Sequence, residues 1–147
     1  MDLAKVAKQI INKNIYLTLG TTDGQIPWTA PLFYAVDPVT YNFYFISQLD
    51  SLHTRHLLQN PTISFAIFDS RQKEGAGNGV QGSGQAFLLS DDELPEAFKH
   101  YHTTYVPMKT ESFTGEAPYR FFKVIPDHFY ILDPEAKTDK RIEVKLL

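Results

Sequence analysis

FYFISQLDSLHTRHLLQNPTISFAIFD, residues 43–69, is the stretch on which the fold turns. Its first six residues are dense in aromatic and β-branched side chains, which suit a pleated, half-buried surface and predict a strand. Ser51 is a good N-cap for a short helix over SLHTRHLLQN, which must end before Pro61. ISFAIFD then predicts a second strand. Ser47, Ser51, His53, Thr54 and Arg55 therefore gather between a strand end and the first turn of a helix. Unpaired N–H groups and the helix dipole already favour an anion there. From the residues alone, this pattern suits a phosphate site and equally a capped surface helix with solvated Arg and His.

Working upstream, Leu3, Val6, Ala7, Ile10 and Ile11 form the stripe of an amphipathic helix. IYLTLGTT predicts a strand, and Asp23-Gly24 supplies the pair suited to a tight hairpin turn. The return strand, PWTAPLFYAVD, carries Pro27 and Pro31, so it must be an edge, a bulge, or a place where backbone faces something other than a strand. A turn at Asp37-Pro38 leads back to the opening stretch.

Downstream, SRQKEGAGNG reads as a polar loop and VQGSGQAFLLS as a fifth strand thinned by Gly82 and Gly84. Ser90 caps a third helix, with Asp92 and Glu93 in its first turn, expected to occupy most of residues 90–105. YRFFKVIP, DHFYILD and RIEVKLL predict up to three more short strands. The sum is a mainly β chain with inserted helices, a barrel with peripheral helices in a single domain spanning residues 1–147.

Composition narrows the function. Seventeen acids against fourteen Lys and Arg, a net charge of -3, leave no positive field for nucleic acid. The absence of cysteine excludes disulfides, thiolate nucleophiles and Cys-ligated zinc, and a cytoplasmic location is expected. The interrupted apolar residues of MDLAKVAKQIINKN predict neither a signal peptide nor a membrane span. Gly77-Asn78-Gly79-Val80-Gln81-Gly82 matches G-x-G-x-x-G in letters only, because a polar loop precedes it and a strand follows. His53 with His56, and His100 with His102, lack a legible third ligand, so no metal is assigned. No G-x-S-x-G elbow supports a serine nucleophile.

The order strand, Ser-x-basic turn, helix, Asn-Pro, strand resembles the flavin-binding core of the pyridoxamine 5'-phosphate oxidase-like split-barrel family. PWTAPLFYA, FYFIS, SLHTRHLLQNP, ISFAIFD and VQGSGQAF carry the likeness, from about Ile15 to Leu89. The resemblance implies a Greek-key-like split β-barrel with FMN at a homodimer interface. It would place Trp28, Thr29 and Ala30 beside the isoalloxazine and ribityl parts, with Ile46 and Ser47 on the neighbouring strand. Ser51, His53 and Arg55, with Thr54 beside them, would hold the phosphate, and Gln81 would reach the flavin from the fifth strand. Family members commonly have Lys or Arg where this chain has His53.

The chain ends at RIEVKLL, without the Arg- and His-bearing tail of the vitamin B6 oxidases, so oxidation of pyridoxamine phosphate is not expected. The resemblance implies an FMN-dependent oxidoreductase of unknown substrate and electron donor. No side chain is assigned as a catalyst, although Tyr101, Tyr105 and Phe113 are candidates to cover the flavin or simply to pack. The alternative is a non-enzymatic flavin or heme carrier on the same barrel.

Overall fold

Two prolines explain how the sheet begins. In the computed structural model, which describes residues 1–147, β1 (Tyr16–Thr22) pairs antiparallel with β2 (Pro27–Phe33), in the register Leu17 to Leu32 and Leu19 to Ala30. The Tyr34 N–H donates to the Ile15 carbonyl at 3.0 Å, so in this ladder the even-numbered residues of β2 face β1. Pro27 and Pro31 therefore point their nitrogens away from β1, and the ladder loses no donor. The hairpin closes through Gly24 and Gln25. Only Gly24 takes positive φ, at 104°, and the Asp23 carboxylate accepts from the N–H groups of Gln25 (2.8 Å) and Ile26 (2.7 Å). The turn is thus displaced by one residue from the expected Asp23-Gly24 pair.

The remaining strands are β3 (Ala35–Val36), β4 (Phe43–Gln48), β5 (Thr62–Phe68), β6 (Gly79–Leu88), β7 (Tyr119–Leu132) and β8 (Arg141–Val144). Their order is β2-β1-β5-β6-β7-β4-β3, with β8 also on β7, and every pairing is antiparallel. The two ends of this order, β2 and β3, are consecutive in sequence and separated only by Tyr34. One stretch of chain therefore borders both ends of the sheet, and the sheet must curl into a barrel.

YRFFKVIP and DHFYILD form one continuous strand, not two. Asp127 is accommodated as a bulge, because Ser83 pairs with His128 while Gly84 pairs with Pro126. Gly84 is required there: a Cβ would fall 2.3 Å from the Ile125 carbonyl oxygen.

α1 (Leu3–Lys13) packs Ala7 and Ile11, both fully buried, into the barrel core with Leu17, Leu19, Phe43 and Phe45. α2 (Leu52–Gln59) has Ser51 as its N-cap. α3 (Leu94–His100) is shorter than its sequence suggests. A 3-10 turn over Asp91–Glu93 precedes it, where the Glu93 carboxylate accepts from the Ser90 N–H at 3.0 Å. It stops before Tyr101, whose ring is buried edge-on against Phe33 and Phe121. The following Thr103-Thr104 pair has poor helix propensity. α3 and the segment after it cover the outer face of β4 and β7, forming a second apolar cluster of Tyr44, Leu94, Ala97, Tyr101, Val106, Phe113 and Phe121. No helix is long and apolar enough to cross a membrane.

Candidate functional site

The barrel is incomplete at one place. β3 pairs with β4 at Ala35 to Tyr44 and Val36 to Phe43, and the same register would set Phe33 opposite Ile46. Instead β2 turns away to pair only with β1, while β4 pairs on its other side with β7. A split therefore opens between Trp28–Phe33 and Phe45–Gln48, with main-chain edges unpaired on both walls. The outward prolines leave β2 mostly carbonyls, plus the N–H groups of Thr29 and Phe33, facing it. Trp28, Thr29, Ala30, Ile46 and Ser47, singled out from the sequence, all lie along these walls. Ala30 is buried, Trp28 and Thr29 are exposed, and Ile46 and Ser47 point to opposite faces of β4.

β4 runs directly into the start of α2. Ser47 and His53 are both buried, and Ser47 Oγ is hydrogen-bonded to His53 Nε2. Ser51 Oγ lies 3.4 Å from the same nitrogen, 2.9 Å from the Gln48 carbonyl and 2.8 Å from Thr54 Oγ1. Burial, reinforced by neighbouring His56, lowers the His53 pKa below 6.5, so the imidazole is neutral at pH 7. His56 is itself fastened to Thr21, Oγ1 to Nδ1 at 3.0 Å. Thr54 is fully buried, so its hydroxyl orients Ser51 from within. Arg55 is exposed, and its guanidinium makes neither a hydrogen bond nor an ion pair. It stands four residues after Ser51, on the same side of the helix start. The start of α2 thus carries two internally hydrogen-bonded serine hydroxyls, helix N–H groups and one exposed, unpaired guanidinium, Arg55, its fixed positive charge.

Gln81 stands apart. It pairs with Tyr130 of β7, whereas Ser47 pairs with Arg120, ten residues along the same strand. That separation is roughly 30 Å, so the Gln81 of this chain does not join the cluster.

Reasoning from sequence missed a cleft of about 330 Å³ on the outer side of the split, lined by Tyr16, Phe33, Ile46, Tyr101, Val106 and Tyr119, with Thr103 and Tyr105. Its size is that of a small-molecule site, and no charged residue lines it. Burial, with Tyr16 nearby, pushes the Tyr101 phenol up to about 12, so it remains a neutral hydrogen-bonding group. Of the three aromatics considered as covers, Tyr101 and Tyr105 reach this cleft, while Phe113 packs in the core against Phe98 and Phe121. Also missed was the meeting of Asp37, Glu96 and His100 beside Tyr44. Burial alone would raise the Asp37 carboxyl, but hydrogen bonds from Val39 and Thr40 outweigh it and hold the pKa below its ordinary value. The i, i+4 spacing of Glu96 and His100 was legible, but Asp37 read only as a turn residue.

The family model for pyridoxamine 5'-phosphate oxidase matches residues 3–133. The chain belongs to this family. Solved structures share its fold at low identity. A protein of unknown function from Agrobacterium tumefaciens is 20% identical with a TM-score of 0.72, covering 97% of this chain and 61% of its own. A heme binding protein from Mycobacterium smegmatis is 18% identical with a TM-score of 0.73, covering 96% of this chain and 57% of its own. A FAD-binding protein from Mesorhizobium loti is 18% identical with a TM-score of 0.64, covering 86% and 89%. The chain spans about three-fifths of the length of the Agrobacterium and Mycobacterium proteins, 61% and 57% respectively. No curated protein matches the sequence.

Proposed function

We propose that the chain binds FMN in the split between β2 and β4, as a cytoplasmic homodimer, and uses it for electron or hydride transfer. The observation that carries this reading is the alignment of the split, with its unpaired main chain, on the donor cluster at the start of α2. The phosphate would meet Ser51, Arg55 and the N–H groups of α2, with Ser47 and His53 fixing the geometry behind them. Trp28, Thr29, Ala30 and Ile46 would line the ribityl and ring, and the aromatic cleft beyond Ile46 would receive a reaction partner. The bound flavin supplies the redox chemistry; the chain supplies orientation and a dry, uncharged wall. A homodimer would cover apolar side chains now exposed, among them Tyr16, Trp28, Phe87 and Ile125, and could bring in a distant position such as Gln81.

A flavin or heme carrier is the second reading. The neutrality of His53 favours it, since the grip has one fixed cation where family members commonly have more. The absorption spectrum of the purified protein separates the two. Flavin bands, followed by reduction with a nicotinamide and reoxidation by an acceptor, support the oxidoreductase. A Soret band, or a flavin that stays inert, supports the carrier. A colourless protein whose melting temperature does not change with excess FMN overturns both flavin readings.

A further inference from the structure

We propose that Asp37, Glu96 and His100 form a binding site for a divalent first-row metal ion, with Zn²⁺ the best match. Asp37 directly follows β3, while Glu96 and His100 lie one turn apart on α3. Asp37 Oδ2 is 3.7 Å and Glu96 Oε1 is 3.3 Å from His100 Nε2, and the three donor atoms fall within 4.8 Å of one another. Both distances exceed the usual N–H···O range of about 2.7–3.2 Å. Zinc bonds to nitrogen and oxygen of about 2.0–2.2 Å place tetrahedral neighbours roughly 3.3–3.6 Å apart. Glu96 Oε1 makes a long hydrogen bond to His100, and the two spacings measured from His100 match those between ligands around a shared centre.

The donors are held by groups outside the cluster. Asp37 is 7% exposed, and its Oδ1 accepts from the Val39 N–H at 2.8 Å, leaving Oδ2 directed at His100 from inside the protein. The His100 ring stacks on Tyr44, with centroids 5.8 Å apart and planes 9° from parallel. Such supporting contacts orient ligands before a metal arrives. Glu96 already shares its second oxygen with Lys99 Nζ at 3.0 Å, and a divalent cation would neutralise the charge left on Oε1 and on Asp37. The Glu96 side chain is half exposed and that of His100 partly so, which gives an ion access from solvent. The ion would tie the turn before β4 to α3, and so steady the Tyr101–Val106 wall of the aromatic cleft.

Calorimetric titration of the chelator-treated full-length protein with ZnCl₂ at neutral pH tests this. One saturable site per chain is expected, accompanied by a rise in melting temperature. Glu96→Gln and His100→Gln should each weaken binding at least about tenfold, whereas His102→Gln and His128→Gln should leave it unchanged. Glu96 is exposed and His100 is partly so, and the fold of each variant is checked by its melting temperature without metal. Absence of saturable binding overturns the proposal and leaves an ion cluster. So does binding that survives both substitutions, or that is lost in His128→Gln, which would place the ion at the His128–Glu143 pair.

Discussion

Ser47 and His53 are joined through Oγ and Nε2, so the last turn-facing residue of β4 is locked to the first turn of α2. Because burial lowers the His53 pKa, the unfolded chain takes up a proton on this imidazole near pH 6.5 before the folded one does. The neutral form's contribution is therefore complete above pH 6.5 and is lost as pH falls through the interval down to the folded value. Melting temperatures between pH 7.5 and 5.5 should fall toward acid, and the slope should flatten in His53→Gln.

The orientation of β2 makes its prolines and leucines unequal. Pro31 directs its nitrogen into the split, so Pro31→Ala should cost less than about 1 kcal/mol, mostly through the unfolded chain. Leu32 faces β1 with its N–H, and Leu32→Pro should cost about 3 kcal/mol or more. Urea denaturation of the two variants checks the register.

The bulge at Asp127 depends on Gly84. A Cβ there would lie 2.3 Å from the Ile125 carbonyl oxygen and 2.8 Å from Pro126 Cα, both main-chain atoms with little freedom to move. Gly84→Ala should destabilise by about 2 kcal/mol, read as a lower urea midpoint with an unchanged m-value.

Phe45 and Phe122 stack in the core with centroids 5.2 Å apart and neither ring exposed. Phe45→Ala should cost about 3–5 kcal/mol, with a matching loss of any flavin affinity because the same strand forms a wall of the split.

Much of this was legible locally. The helix over residues 52–59, its Ser51 cap and the amphipathic α1 follow from caps and periodicity, and the prolines of β2 pointed to an edge, a bulge or backbone facing something other than a strand. What was hidden depends on pairings distant in sequence. β4 meets β7 across about seventy intervening positions, so nothing near Ile46 reveals that Tyr119 and Tyr101 wall a cleft beside it. YRFFKVIP and DHFYILD read as separate strands on either side of Pro126-Asp127, yet β6 pairs across that point on both sides. Asp37 likewise caps its own turn, which conceals that its second oxygen faces α3. Gln81 alternates outward as its strand requires, but its distance from Ser47 appears only once both are placed along β7.

If the start of α2 grips a phosphate, comparing FMN with riboflavin isolates that group. Fluorescence titration of the wild type should show FMN binding about 100-fold more tightly than riboflavin, as two charge-assisted hydrogen bonds imply. In Arg55→Ala and Ser51→Ala this preference should shrink at least about tenfold, with riboflavin affinity nearly unchanged. Equal affinity for the two ligands in the wild type, or a preference untouched by both substitutions, would mean that the start of α2 does not hold a phosphate.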